Sequence, residues 1–111
     1  MGKQKQNPYK ITPKNENGVK SVTISLSGNL SLDEVDNIKL LLTENLDKFQ
    51  RFHIKVFDVE NIDLGLIQLF YSFKWTVEKK SKTVSFEFDL PEENKKLLEN
   101  AGFSSIVNSN L

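Results

Sequence analysis

Cysteine is absent from this chain of 111 residues, and histidine, methionine and tryptophan occur once each. Without cysteine there are no disulfides, thiolate nucleophiles or cysteine-based metal sites. A single imidazole, His53, leaves the common zinc sites and catalytic triads without the side chains they need. Three prolines and five scattered glycines form neither a phosphate-cradling loop nor a Gly-x-Ser-x-Gly elbow. No apolar run approaches the roughly 20 residues of a membrane span, and no signal-peptide pattern opens the chain. Carboxylates are plentiful, yet no motif singles out a pair. The expectation is a cytoplasmic, non-enzymatic protein with no metal, cofactor or catalytic residue. Hydrophobic residues at 38% and charged residues at 27% fit one globular domain.

The formal charge of zero is unevenly spread. Residues 1–20 hold five lysines against Glu16 alone, while residues 21–111 hold ten basic and fourteen acidic side chains. A nucleic-acid binder concentrates positive charge on its folded part, and this chain does not. Residues 1–8 are polar and aperiodic and read as a flexible tail. Residues 9–107 read as the domain, and 108–111 as a frayed end.

Tyr9 and Ile11 alternate with polar residues up to Pro13, which suits a short edge strand. Asn15 to Gly18 is turn chemistry. Val22, Ile24 and Leu26 then alternate with Ser and Thr, predicting the second strand of a hairpin, broken at Gly28. Ser31 and Glu34 have capping-box spacing ahead of a helix ending near Lys48. Ile54 and Val56 predict a third strand closed by Asp58, with His53 on its polar face. Asp63 is a natural N-cap for a second helix over 64–79. Val84, Phe86 and Phe88 predict a fourth strand, and Pro91-Glu92-Glu93 opens a third helix that Gly102 ends. A short strand or turn is expected over 103–107. The fold class is α/β, with about three helices on one face of a mixed four- to five-stranded sheet, in the order β-β-α-β-α-β-α.

The second helix is apolar on two sides. At about 100° per residue, Leu66, Leu69, Phe70, Phe73 and Val77 fall in one arc of about 100°. Leu64, Ile67, Tyr71 and Trp75 fall in a second arc of about 80°, roughly opposite. One arc serves a helix lying on a sheet. Either neighbouring helices cover part of the second arc, or it is bare and anchors a partner through Tyr71 and Trp75. The reading adopted is the second, and a second copy of the chain counts among the candidate partners.

The order of elements and several local strings resemble the STAS domain (sulphate transporter and anti-sigma-factor antagonist). They are Ser27-Gly28-Asn29-Leu30-Ser31, the strand-ending Asp58, Asp63 opening the second helix, and Leu97-Leu98-Glu99-Asn100-Ala101-Gly102-Phe103. The resemblance implies a bacterial protein-binding module. In anti-sigma antagonists the loop before the second helix reads Asp-Ser-Ser-Gly, and its second serine is phosphorylated to switch partners. Laid over this chain, Asp63 takes the Asp, Gly65 the phosphoacceptor and Leu66 the glycine. Gly65 has no hydroxyl, and no Ser or Thr lies between His53 and Tyr71. STAS subunits of lipid-asymmetry ABC transporters carry a similar string, Asp-x-Ala-Gly-Leu-Gln-Leu-Leu, which shares Asp63, Gln68 and Leu69. The resemblance therefore implies docking through Asp63, Leu64, Gly65, Ile67, Gln68, Tyr71 and Trp75. The partner would be an anti-sigma or serine-kinase-type regulator, or an ABC-transporter ATPase subunit. Binding of a small ligand, a nucleotide or a lipid, is the alternative.

Overall fold

Val22, Ile24 and Leu26, alternating with hydroxyl residues, lie in the central strand β2 (Val19–Leu30) of the computed structural model, which describes residues 9–103. Strand β2 pairs antiparallel with β1 (Tyr9–Glu16) and parallel with β3 (Arg51–Ile62). Strand β3 pairs parallel with β4 (Thr83–Asp89), giving the order β1-β2-β3-β4. The crossovers are α1 (Leu32–Asn45) and α2 (Leu64–Lys79). Helix α3 (Glu92–Leu98) follows β4 and runs into a wider turn, Glu99–Phe103. The mixed sheet, its three helices and their order are those expected. The predicted tail at 1–8, the frayed end at 108–111 and nearly all of the predicted strand at 103–107 lie outside the described residues.

The hairpin closes through Asn17 and Gly18, both at positive φ (54° and 84°), the twist a two-residue turn needs to match right-twisted strands. Pro13 does not stop β1, where it lies opposite Val22. At the sheet edge, its missing N–H can face away from the ladder.

One sheet face is buried. Val22, Ile24, Leu26, Phe52, Ile54, Val56, Phe86 and Phe88 line it, and the helices close it with Ile38, Leu42, Leu66, Phe70, Phe73 and Val77. Aromatic rings knit the layers. Phe70 lies 5.3 Å from Phe86 and 6.0 Å from Phe88, and Phe73 meets Phe52 edge-on at 5.3 Å. Such pairs contribute about 0.5–1.5 kcal/mol beyond their burial. The other face carries Ser21, Thr23, Ser25, Arg51, His53, Lys55, Ser85 and Glu87, none of them buried. No described helix is long and apolar enough to cross a membrane.

Three local expectations are corrected. Gly28 and Asp58 do not end their strands. Both adopt positive φ (84° and 48°), and the pairing slips from Leu26↔Val56 through Gly28↔Val59 to Leu30↔Ile62. They are kinks inside β2 and β3 with two extra residues on β3, because the neighbouring strand keeps supplying ladder hydrogen bonds beyond each turn residue. Helix α1 ends at Asn45, not Lys48. Asn45 is buried, and its Nδ2 donates to the Leu41 carbonyl at 2.8 Å. Finally, the Ser31 side chain makes no capping bond. The Glu34 carboxylate that would complete the box accepts instead from the Tyr9 hydroxyl.

Candidate functional site

Strands β2, β3 and β4 run parallel, so their C-terminal ends and the starts of all three helices share one end of the domain. Asp63 organises that end. Its N–H donates to the Leu30 carbonyl at 2.9 Å, tying the loop to β2. Its Oδ1 accepts from the Gly65 N–H at 2.7 Å, an N-cap in an extended conformation. The cap explains Gly65. A Cβ there would lie 2.8 Å from Asp63 Oδ1, closer than real contacts allow, so a side chain at 65 requires the carboxylate to shift.

The outer face of α2 keeps part of the predicted stripe. Leu64 is 49% exposed and Trp75 63% exposed, with Gln68 exposed between them. The Lys79 ammonium lies over the Trp75 ring, 4.2 Å from its centroid. Tyr71 is half-buried and packs against the core. Ile67 is a correction. It is fully buried, so it is not available to a partner. The buried arc of α2 runs through Phe73, Leu66, Val77, Phe70 and Ile67, while Leu69 is only half-buried. That arc is rotated by roughly 50° from the predicted one, because α2 packs against α1 as well as the sheet. Leu66, at the position of the family glycine, is likewise core.

Beside Leu64 lies a groove of about 440 Å³ between the end of β3 and α3. Ile62, Leu64, Leu97 and Leu98 supply its apolar lining, and Glu60, Asn61 and Asn94 its polar lining. Leu97 is 69% exposed. Nothing local to α3 distinguishes exposed Leu97 from buried Leu98; the difference depends on how α3 is set against the sheet. The segments at this end are rich in carboxylates, with Lys95 and Lys96 of α3 as the basic residues inside the groove-lining stretch 94–98. Residues 28–38 carry Asp33, Glu34 and Asp36; residues 58–68 carry Asp58, Glu60 and Asp63; residues 89–94 carry Asp89, Glu92 and Glu93. None of the three holds a Lys, Arg or His. The opposite end gathers Lys14, Lys20, Lys48, Arg51, Lys79, Lys80 and Lys82, together with Glu16, Glu44, Asp47 and Glu78. Burial, followed by the bond to Glu34 and the charge of that carboxylate, pushes the Tyr9 hydroxyl up to about 12.

The uncovered sheet face brings together residues that the sequence leaves far apart. His53 Nδ1 lies 2.7 Å from Ser85 Oγ, and its Nε2 lies 3.0 Å from Glu87 Oε1. Strand alternation placed His53 on this face, but the partners depend on the β3–β4 register, in which His53 lies opposite Ser85. Near by, Lys14 Nζ pairs with Glu16 Oε2 at 2.9 Å and holds that carboxyl below its usual range.

This architecture, a mixed sheet with all helices on one face and a capped second helix at the ends of its parallel strands, is a SpoIIAA-like fold. Among solved structures the chain is similar to the anti-sigma factor antagonist SpoIIAA in its unphosphorylated form, with 13% identity and a TM-score of 0.69 over 89% of this chain and 84% of that one. It is also similar to the Bacillus cell fate determinant SpoIIAA in its phosphorylated form, with 12% identity and a TM-score of 0.65 over 89% and 87%. A Shewanella loihica PV-4 protein of the DUF3478 family with a SpoIIAA-like fold follows at 11% identity and a TM-score of 0.53, over 92% and 84%. At these identities the likeness is one of fold. No protein-family model and no curated protein matches the sequence.

Proposed function

We propose that the chain is a non-enzymatic interaction module of STAS type. It docks a regulatory or transporter protein through the start and outer face of α2, without a phosphoacceptor at Gly65. The carrying observation is the exposure of Leu64 and Trp75 on one helix face, continuous with the Leu97 groove. Large apolar side chains bordered by polar groups are what protein interfaces use as anchors. Asp63 orients the helix, Gln68 offers a directional hydrogen bond, and Tyr71 contributes its outward edge. The acidic surroundings favour a partner with a basic face, which speeds encounter and fixes orientation. The partner classes are an anti-sigma or serine-kinase-type regulator and an ABC-transporter ATPase subunit.

The test is titration of the purified chain with a purified member of each class encoded beside it. Trp75→Ala and Leu64→Ala should each weaken the complex by roughly 10- to 100-fold, the burial of one large side chain. Their unfolding midpoints should stay close to that of the parent. Ile67→Ala should instead unfold the domain by about 2–5 kcal/mol, as a truncation of a buried aliphatic does. Binding by neither class, or binding that ignores Trp75 and Leu64, refutes the proposal.

A further inference from the structure

The uncovered sheet face has an ordered arrangement independent of the α2 surface. In the β2–β3–β4 register, Arg51 lies between Ser21 and Thr83, and His53 lies between Thr23 and Ser85. Neighbouring strands are about 4.8 Å apart and same-face residues about 6.6 Å apart along a strand, so the six side chains form a grid roughly 10 Å by 7 Å. All six line a shallow depression of about 250 Å³. The central strand thus presents a guanidinium and an imidazole, each flanked on both sides by hydroxyls.

The charges around the depression are largely accounted for. Glu87 is engaged by His53, and Glu16 by Lys14. Among the described residues no hydrogen bond or ion pair engages the Arg51 guanidinium, although it lies near enough to Glu16 to help hold that carboxyl down. Arg51 therefore supplies an uncommitted planar fork of donors, suited to two oxygens of one tetrahedral anion. The hydroxyls of Thr23 and Thr83 add donors that rotate to suit. A carboxylate ligand would use the fork alone, whereas a phosphate group has oxygens enough for fork and hydroxyls together.

We infer that this depression is a binding site for a phosphate-class oxyanion, with Arg51 as its principal ligand and the Thr23 and Thr83 hydroxyls completing the shell, since the Ser21 and Ser85 hydroxyls are engaged by the Lys14 carbonyl and His53. The site lies on the sheet face opposite the helices, so occupancy leaves the α2 surface free.

The test is titration of the full chain with inorganic phosphate at constant salt, read as backbone amide shifts. Saturable shifts are expected at Ser21, Thr23, Arg51, His53, Thr83 and Ser85, with the α2 amides unmoved. Arg51→Gln should weaken the affinity by about tenfold or more, and Arg51→Lys by less, since it keeps the charge and loses the fork. Arg51 is exposed, so both variants should fold, which the unperturbed remainder of the spectrum verifies. Glycerol 3-phosphate and vesicles of phosphatidylglycerol in phosphatidylcholine form separate arms, distinguishing a free phosphate or phosphomonoester from a lipid headgroup. The inference is overturned by an absence of saturable shifts, by shifts that Arg51→Gln leaves unchanged, or by shifts gathered at Lys79, Lys80 and Lys82 instead.

Discussion

Replacing Gly65 by alanine tests whether the cap of α2 dictates the glycine. The residue is helical without a positive φ, so alanine fits its backbone and should gain about 0.5–1 kcal/mol of helix propensity. Against that gain stands the Cβ at 2.8 Å from Asp63 Oδ1, which drives the carboxylate off the Gly65 N–H. Loss of a side-chain N-cap costs about 0.5–2 kcal/mol. The two terms nearly cancel, so Gly65→Ala in the parent should change stability little or lower it by up to about 1 kcal/mol. In an Asp63→Ala background the obstacle is gone, and the same change should stabilise by about 0.5–1 kcal/mol. The double-mutant cycle therefore predicts a coupling of roughly 1 kcal/mol between neighbouring sites. Urea unfolding followed by far-ultraviolet circular dichroism measures it. An equal effect of Gly65→Ala in both backgrounds would refute the reasoning, since something other than the carboxylate would then govern position 65. A serine at 65 carries the same Cβ, so restoring the family's acceptor there should disturb the cap as alanine does.

Gly28→Ala should cost about 1–2 kcal/mol in urea unfolding through left-handed backbone strain alone, since its added Cβ meets nothing within 4 Å; a neutral result would mean the kink relaxes. Tyr9 supplies the pH dependence. Its folded value is raised from 10.0 to about 12, so its contribution is fully present below pH 10 and is lost as the pH climbs through about 12. The gap in unfolding midpoint between the parent and Tyr9→Phe should narrow over that interval, and a gap that does not change would oppose the assignment.

Helix α2 was legible because its determinants are local: an Asp before the first turn and apolar residues at helical spacing through Val77. Its Leu64–Lys79 bounds follow from those alone. The burial of Ile67 was not legible, since the placement of α1 beside α2 decides it and no residue within α2 encodes that placement. The kinks at Gly28 and Asp58 misled for the same reason. Each is a turn former by local preference, and only the neighbouring strand makes it a bulge. His53, Ser85 and Glu87 became a connected set only once the β3–β4 register was known. The groove beside Leu64 likewise needed the position of α3, which brings Leu97 alongside.

The excess of carboxylates at one end and of lysines at the other gives this electroneutral molecule a dipole along the strand direction. Lys95 and Lys96 temper it at the acidic end, and Glu16, Glu44, Asp47 and Glu78 at the basic one. At low ionic strength, such particles attract one another head to tail, the acidic pole of one meeting the basic pole of the next. Added salt should dissolve those chains of molecules rather than create them, so the protein is of the kind that salts in.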